Sequence, residues 1–196
     1  VSNFCPIEWR KDPTPPSQID CPDCGLLEHG TRMVWGEGNP AAPIMIILDN
    51  PGAREDREGN SFVCGTRQTL QKALHEVGFS PSDLYVTFII KRKPTRAYDK
   101  EQTRATCMHK HLLKQLKENK PLLIICLGNI AVQSFFENQE AEVKTFRGKW
   151  HQVHGYRTAV AYHPLAVRRR PNLWKLFIED LSFVSTGYQT LKKGPF

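Results

Sequence analysis

The segment Ile44-Met45-Ile46-Ile47-Leu48-Asp49-Asn50-Pro51-Gly52 decides how this chain is read. Five apolar residues without polar alternation are too short for an ordinary helix and suit a strand buried on both faces. Asp-Asn-Pro-Gly then stops the strand and leaves two polar side chains at its exit. Three similar runs follow, at Leu84–Ile90, Leu122–Leu127 and Thr158–Tyr162. Between and after them lie helical periodicities: Thr66–Val77, with Leu70, Ala73, Leu74 and Val77 on one face, then Asp99–Asn119, Asn129–Phe136 and Asn172–Phe183. Strands alternating with helices predict an α/β fold, a three-layer α/β/α sandwich around a central, mainly parallel four-stranded sheet. Residues 1–20, rich in Pro and polar residues, read as an N-terminal arm, 21–184 as the folded domain and 185–196 as a C-terminal tail.

The chain has 196 residues, of which 40% are hydrophobic and 24% charged, a balance that supports one packed core. No apolar run approaches the ~20 residues that a membrane helix needs. The first sixteen residues lack an apolar signal-peptide centre, so the expected location is the cytoplasm. Lys and Arg number 27 against 20 Asp and Glu, a formal charge of +7. That excess favours a polyanionic partner.

In parallel sheets ligands bind beyond the carboxyl ends of the strands. The exits here read Asp49-Asn50-Pro51-Gly52, Lys91-Arg92-Lys93-Pro94, Gly128-Asn129 and His163-Pro164. Asn50, fixed by Pro51 and Gly52, can hold a water with its amide. Lys91-Arg92-Lys93 and Arg168-Arg169-Arg170 are dense cationic patches that suit phosphate contacts. No G-x-x-x-x-G-K-[ST] loop or G-x-S-x-G elbow occurs, which sets aside nucleoside triphosphate and serine hydrolase chemistry.

Six cysteines are present. Cys126 lies inside an apolar run and reads as core. Cys21-Pro-Asp-Cys24 has the spacing of a zinc or iron–sulfur ligand pair, with Cys107 and Cys5 as available partners.

Taken in order, these pieces resemble the uracil-DNA glycosylase superfamily, and within it the bacterial and archaeal family 4 enzymes, which usually hold a 4Fe–4S cluster. The resemblance runs from about Cys21 to Leu181. Cys21-Pro-Asp-Cys24-Gly-Leu is similar to the first cluster pair. Asp49-Asn50-Pro51-Gly52-Ala-Arg-Glu55-Asp56 stands where those enzymes read G-E-A-P-G and an acidic pair. Gly59-Asn-Ser-Phe62-Val63-Cys64-Gly65 stands at their G-x-P-F-V-G, and Arg147-Gly148 and His163-Pro164 at their R-G and H-P segments. Three departures stand out. Arg92 replaces one cluster cysteine, leaving Cys21, Cys24 and Cys107, with Cys5 as a candidate fourth ligand; a 4Fe–4S cluster, zinc and no metal remain the alternatives. Phe88 replaces the Asn that reads the uracil edge. Asn50 replaces an Ala and resembles the water-positioning Asn of the mismatch- and single-strand-directed branches.

The resemblance implies a DNA glycosylase acting on a deaminated base (uracil, or hypoxanthine or xanthine) in single-stranded or mispaired DNA, expected as a monomer. The alternative is a catalytically inactive DNA-binding protein on the same fold. The implied roles are Asn50 for the attacking water, Asp49 as electrostatic partner or base, and His163 as donor to the departing base. Phe62, Gly52 and Phe88 would border the base. Leu165 or Val167 would act as a wedge, and Lys91, Arg92, Lys93, Arg147, Arg168, Arg169 and Arg170 would contact phosphates.

Overall fold

In a computed structural model, residues 4–52 and 65–194 are described. The four expected strands are present: β3 (Ile44–Leu48), β4 (Leu84–Phe88), β5 (Leu123–Leu127) and β7 (Tyr156–Ala161). They pair in parallel in the order β4-β3-β5-β7, with Ile44 opposite both Leu84 and Leu123, and Leu123 opposite Arg157. The sheet itself has seven strands. β1 (Lys11–Asp12) and β2 (Gly36–Gly38) add antiparallel beside β4, and β6 (His151–Val153) adds antiparallel beside β7. These edge strands are two or three residues long and largely polar, so no periodicity marks them.

Alternate residues of each strand face opposite sides, which divides the core in two. Ile44, Ile46, Leu48, Val86, Phe88, Ile125 and Ala159 pack against α2 (Gly65–Glu76) and α8 (Trp174–Lys192). Met45, Ile47, Tyr85, Ile124, Cys126 and Val160 pack against a second helical layer. That layer holds α3 (Lys100–Cys107), a π-helical turn over Met108–Leu112, α4 (Leu113–Asn119), α5 (Asn129–Phe135) and α6 (Val143–Phe146). The result is the expected three-layer sandwich. Asp99 caps α3 by accepting from the Gln102 amide, which explains the start of that helix after the Pro94 turn.

Two stretches read as appendages contribute to the body. Trp9, in the expected arm, is buried in the α2–α8 core, and Ile7 exchanges backbone bonds with the Gln71 side chain. Helix α8 continues to Lys192 and buries Tyr188, whose hydroxyl donates to Asp83. Its apolar positions continue past residue 184 because that turn still faces the sheet. Two short helices matter for the site: α1 (Leu26–His29), after the Cys21–Cys24 turn, and α7 (Pro164–Arg169), after β7. Among the described residues no helix is long and apolar enough to cross a membrane.

Candidate active site at the strand exits

β3, β5 and β7 end side by side, and their exits bring Asp49, Gly128 and His163 together. His163 is the N-cap of α7: its Nδ1 accepts the Leu165 amide hydrogen at 3.1 Å. A ring nitrogen that accepts an N–H carries no proton, so the proton sits on Nε2. Nε2 lies 3.3 Å from Asp49 Oδ1. Burial works to raise the Asp49 carboxyl, but the hydrogen bond from His163, with those from the Asn50 and Asp49 amides, outweighs it and holds the group below its ordinary value. The Asp49 carbonyl is itself fixed by the Ile90 amide at 3.1 Å. Gly128, at φ +90°, lets His163 lie over the end of β5; a Cβ there would stand 2.8 Å from His163 Cβ. Sequence reasoning passed over that glycine's role, which only the tertiary approach reveals.

The Asn50 Nδ2 donates to the Pro51 carbonyl at 2.7 Å, which presents the amide oxygen as an acceptor. Asp49, Gly128, Asn129, Tyr162, His163 and Arg170 line a cavity of about 330 Å³. Gly52 follows directly at the β3 exit, while Phe62 lies outside the described residues. A second cavity, about 180 Å³, opens beside the end of β4 and is lined by Trp35, Glu37, Arg67 and Phe88. Phe88 is buried there, its ring 5.9 Å below the Arg67 guanidinium. Arg67 is ion-paired with Glu37, both buried. No sequence motif singled out this pair, since an Arg on a helix and a Glu between two glycines look like surface.

The cations divide sharply. Lys91, expected on phosphate, is fully buried. Its ammonium donates at 2.5 Å to both Thr87 Oγ1 and Gln115 Oε1 and faces the Trp35 ring. Burial pushes its pKa down to about 7, against the opposing pull of Cys107 and Asp12. Arg92 is buried too, donating to the carbonyls of Thr31, at 2.9 Å, and Ile19. Arg147 gives its Nε to Asp180 at 2.9 Å and its Nη2 to the Leu176 carbonyl, and lies over the Tyr162 ring. Lys91 and Arg92 thus turn inward and Arg147 is engaged by Asp180 and Leu176: a run of basic letters does not say which side chains turn inward. Lys93 is half-exposed, and Arg168, Arg169 and Arg170 are exposed on and after α7, with the Arg168 guanidinium against Gly65. Leu165 is half-buried beside them. Val167 is buried in the core and is no wedge.

The cysteines do not assemble the expected ligand set. Cys24 and Cys107 are hydrogen-bonded to each other; that bond drives the Cys24 thiol down to about 6 and the Cys107 thiol up. Cys21 meets the Lys110 ammonium, which also binds Asp23. Cys5 is on the opposite layer, in a pocket with Trp9, Gln71 and Phe79, because Ile7 is tied to α2. Among the described residues no three His, Cys, Asp or Glu side chains converge where a metal ion could sit. The described residues thus do not fit a 4Fe–4S cluster.

Comparison with known proteins follows the same lines. The family model "Uracil DNA glycosylase superfamily" matches residues 35–182. A type-4 uracil-DNA glycosylase of Saccharolobus solfataricus is 31% identical over 168 residues, covering 82% of this chain and 78% of that protein. One from Archaeoglobus fulgidus is 30% identical over 184 residues, with 90% and 92% covered. One from Pyrobaculum aerophilum is 32% identical over 177 residues, with 86% and 89% covered.

Proposed function

The chain belongs to the uracil DNA glycosylase superfamily, and from that premise we propose that it is a monofunctional DNA N-glycosylase that hydrolyses the bond between a deaminated base and its deoxyribose, initiating base excision repair. The observation that carries this reading is the Asp49–His163 contact over Gly128, a proton donor and a carboxylate held together at the strand exits.

The bond is out of reach in a stacked duplex, so the nucleotide must be extruded. Extrusion costs least in single strands and mispairs, which makes those the preferred substrates. Water adds across the C1′–N bond: its oxygen joins C1′, the bonding electrons leave with the base, and the base ends with a proton. Asn50 accepts a hydrogen from that water through its amide oxygen, which turns the lone pair toward C1′. The ionised Asp49 stabilises positive charge growing on the sugar. His163, as a neutral imidazole with its proton on Nε2, re-aims that N–H from Asp49 to the base oxygen as negative charge develops there. Arg168, Arg169 and Arg170 hold flanking phosphates, and Leu165 fills the vacated stack. Phe62 is the expected stacking partner of the base. Phe88, standing where the resemblance places the Asn that reads the uracil edge, can make no hydrogen bond to a base, which weakens discrimination between bases. Uracil is the substrate that the relatives' names support, and hypoxanthine and xanthine stand beside it.

The test is base release from end-labelled oligonucleotides carrying uracil, hypoxanthine or xanthine, as single strands, pairs and mispairs, with alkali revealing abasic sites. At least one substrate should be cleaved, and His163→Ala should slow its single-turnover rate by ~10²–10⁴-fold with binding unchanged. No release from any substrate, or an unaltered rate in that variant, overturns the reading.

A further inference from the structure

Arg92 stands where the resemblance places a cluster cysteine, and its surroundings explain what it does there. Its guanidinium reaches two carbonyls, Thr31 at 2.9 Å and Ile19. Residues 19 and 31 flank the Cys21–Cys24 turn and α1 on either side. One buried side chain therefore closes the base of the loop that carries two of the three remaining cluster cysteines. The closure continues through protein groups alone. The Thr31 amide donates to the Lys93 carbonyl and the Lys93 amide to Thr31 Oγ1, both at 3.0 Å. Gly30 bridges to Pro94, and the Thr95 amide donates to the His29 carbonyl. From the other side Thr103 Oγ1 donates to the Cys24 carbonyl at 3.1 Å. A Cβ on Gly30 would stand 3.0 Å from Arg92 Cβ, so the two strands of this closure are in close contact.

The thiols are parcelled out to match. Cys24 lies beside Cys107 while Cys21 faces Lys110, and among the described residues no three ligand side chains converge on a common centre. A guanidinium is permanently cationic, and this one is buried. It has no lone pair to offer a metal, so it cannot take the ligand place that a cysteine would fill here.

We propose that Arg92 performs by hydrogen bonding the fastening that a metal cluster performs in four-cysteine members, and that this chain folds without bound iron or zinc. The inference concerns the fold alone and stands apart from the reading of the reaction.

The full chain, produced in iron-replete cells and purified without oxygen, is analysed for iron and zinc and unfolded thermally with and without a strong chelator. Both metals should be far below one per chain, visible iron–sulfur absorption absent, and the midpoint unmoved by the chelator. Arg92→Met, which removes both donors and strands two carbonyls, should lower the midpoint by roughly 5–10 °C. Arg92→Lys, which keeps the charge but lacks the two-pronged reach, should show a smaller drop and guards against a variant that fails to fold. Stoichiometric iron or zinc, with a midpoint lowered by chelation, overturns the proposal. So does a metal-free protein whose midpoint is the same in wild type, Arg92→Lys and Arg92→Met. Base release, measured on the same preparations, reports separately on the enzymatic reading.

Discussion

Salt dependence of DNA binding separates a reading of charge from a reading of structure. Counting the basic residues that the sequence assigns to phosphates, Arg147 included, gives seven contacts. The structure withdraws Lys91, Arg92 and Arg147, which are buried or ion-paired, and leaves Lys93, Arg168, Arg169 and Arg170. Each contact steepens the log–log plot of affinity against salt by about 0.9 on duplex DNA, so four contacts give a slope near −3.6 and seven near −6.3. Between 50 and 200 mM salt that is a loss of about 150-fold against about 6,000-fold. Fluorescence anisotropy on a mispaired duplex with a central abasic-site analogue reads the slope without turnover. The combined Arg168→Gln, Arg169→Gln and Arg170→Gln variant should flatten it to about −0.9, and Lys91→Met should leave it unchanged. A drop of one full contact in Lys91→Met, or an unaltered slope in the triple variant, refutes the reasoning.

Three further outcomes follow from the same geometry. Gly128→Ala forces an L-residue to φ +90° and drives a methyl against His163 Cβ, so base release should fall by about 10²-fold and stability by about 1–3 kcal/mol, read by single-turnover kinetics and urea unfolding; an unaltered rate contradicts the described approach. Asp49 has a depressed pKa, so its carboxylate is present above the ordinary value of 3.8 and is lost only as pH falls through the lower folded value; NMR titration of the Asp49 carboxyl should therefore find its midpoint below 3.8, and a midpoint at or above that value counts against Asp49 as the held carboxylate. Arg147→Met strands the Asp180 carboxylate, whose side chain is 2% exposed, and should cost about 3–5 kcal/mol in chemical unfolding while DNA affinity stays level; the reverse pattern would return Arg147 to the phosphate-binding set.

How much of this was legible beforehand depended on the kind of signal. The four central strands announce themselves because burial on both faces demands unbroken apolar runs, as in Ile44–Leu48 and Leu123–Leu127. The edge strands do not, since Lys11–Asp12 and Gly36–Gly38 are held by backbone pairing that leaves no mark on composition. Asp49, Asn50 and His163 stand out because polar residues at strand exits are conspicuous against apolar runs, and the structure brings Asp49 and His163 into contact. Lys91 was misread because a lysine directly after a strand looks the same whether its ammonium meets water or Gln115, a partner 24 residues away. The Glu37–Arg67 pair escaped notice for the same reason: its two members are brought together only by the packing of α2 on the sheet.

The double engagement of His163 has a consequence for how this site can change over time. One imidazole both starts the helix that leads into the arginine triplet and fixes, through the Leu165 amide, which of its nitrogens bears the proton. Aim of the arginine helix and readiness of the donor thus meet at a single joint. A substitution there removes the N–H outright and loosens only the first turn of α7, so its cost falls on the chemistry before it falls on the grip. The neighbouring arginines, by contrast, can be exchanged one at a time, trading affinity in small steps while the proton stays where the chemistry needs it.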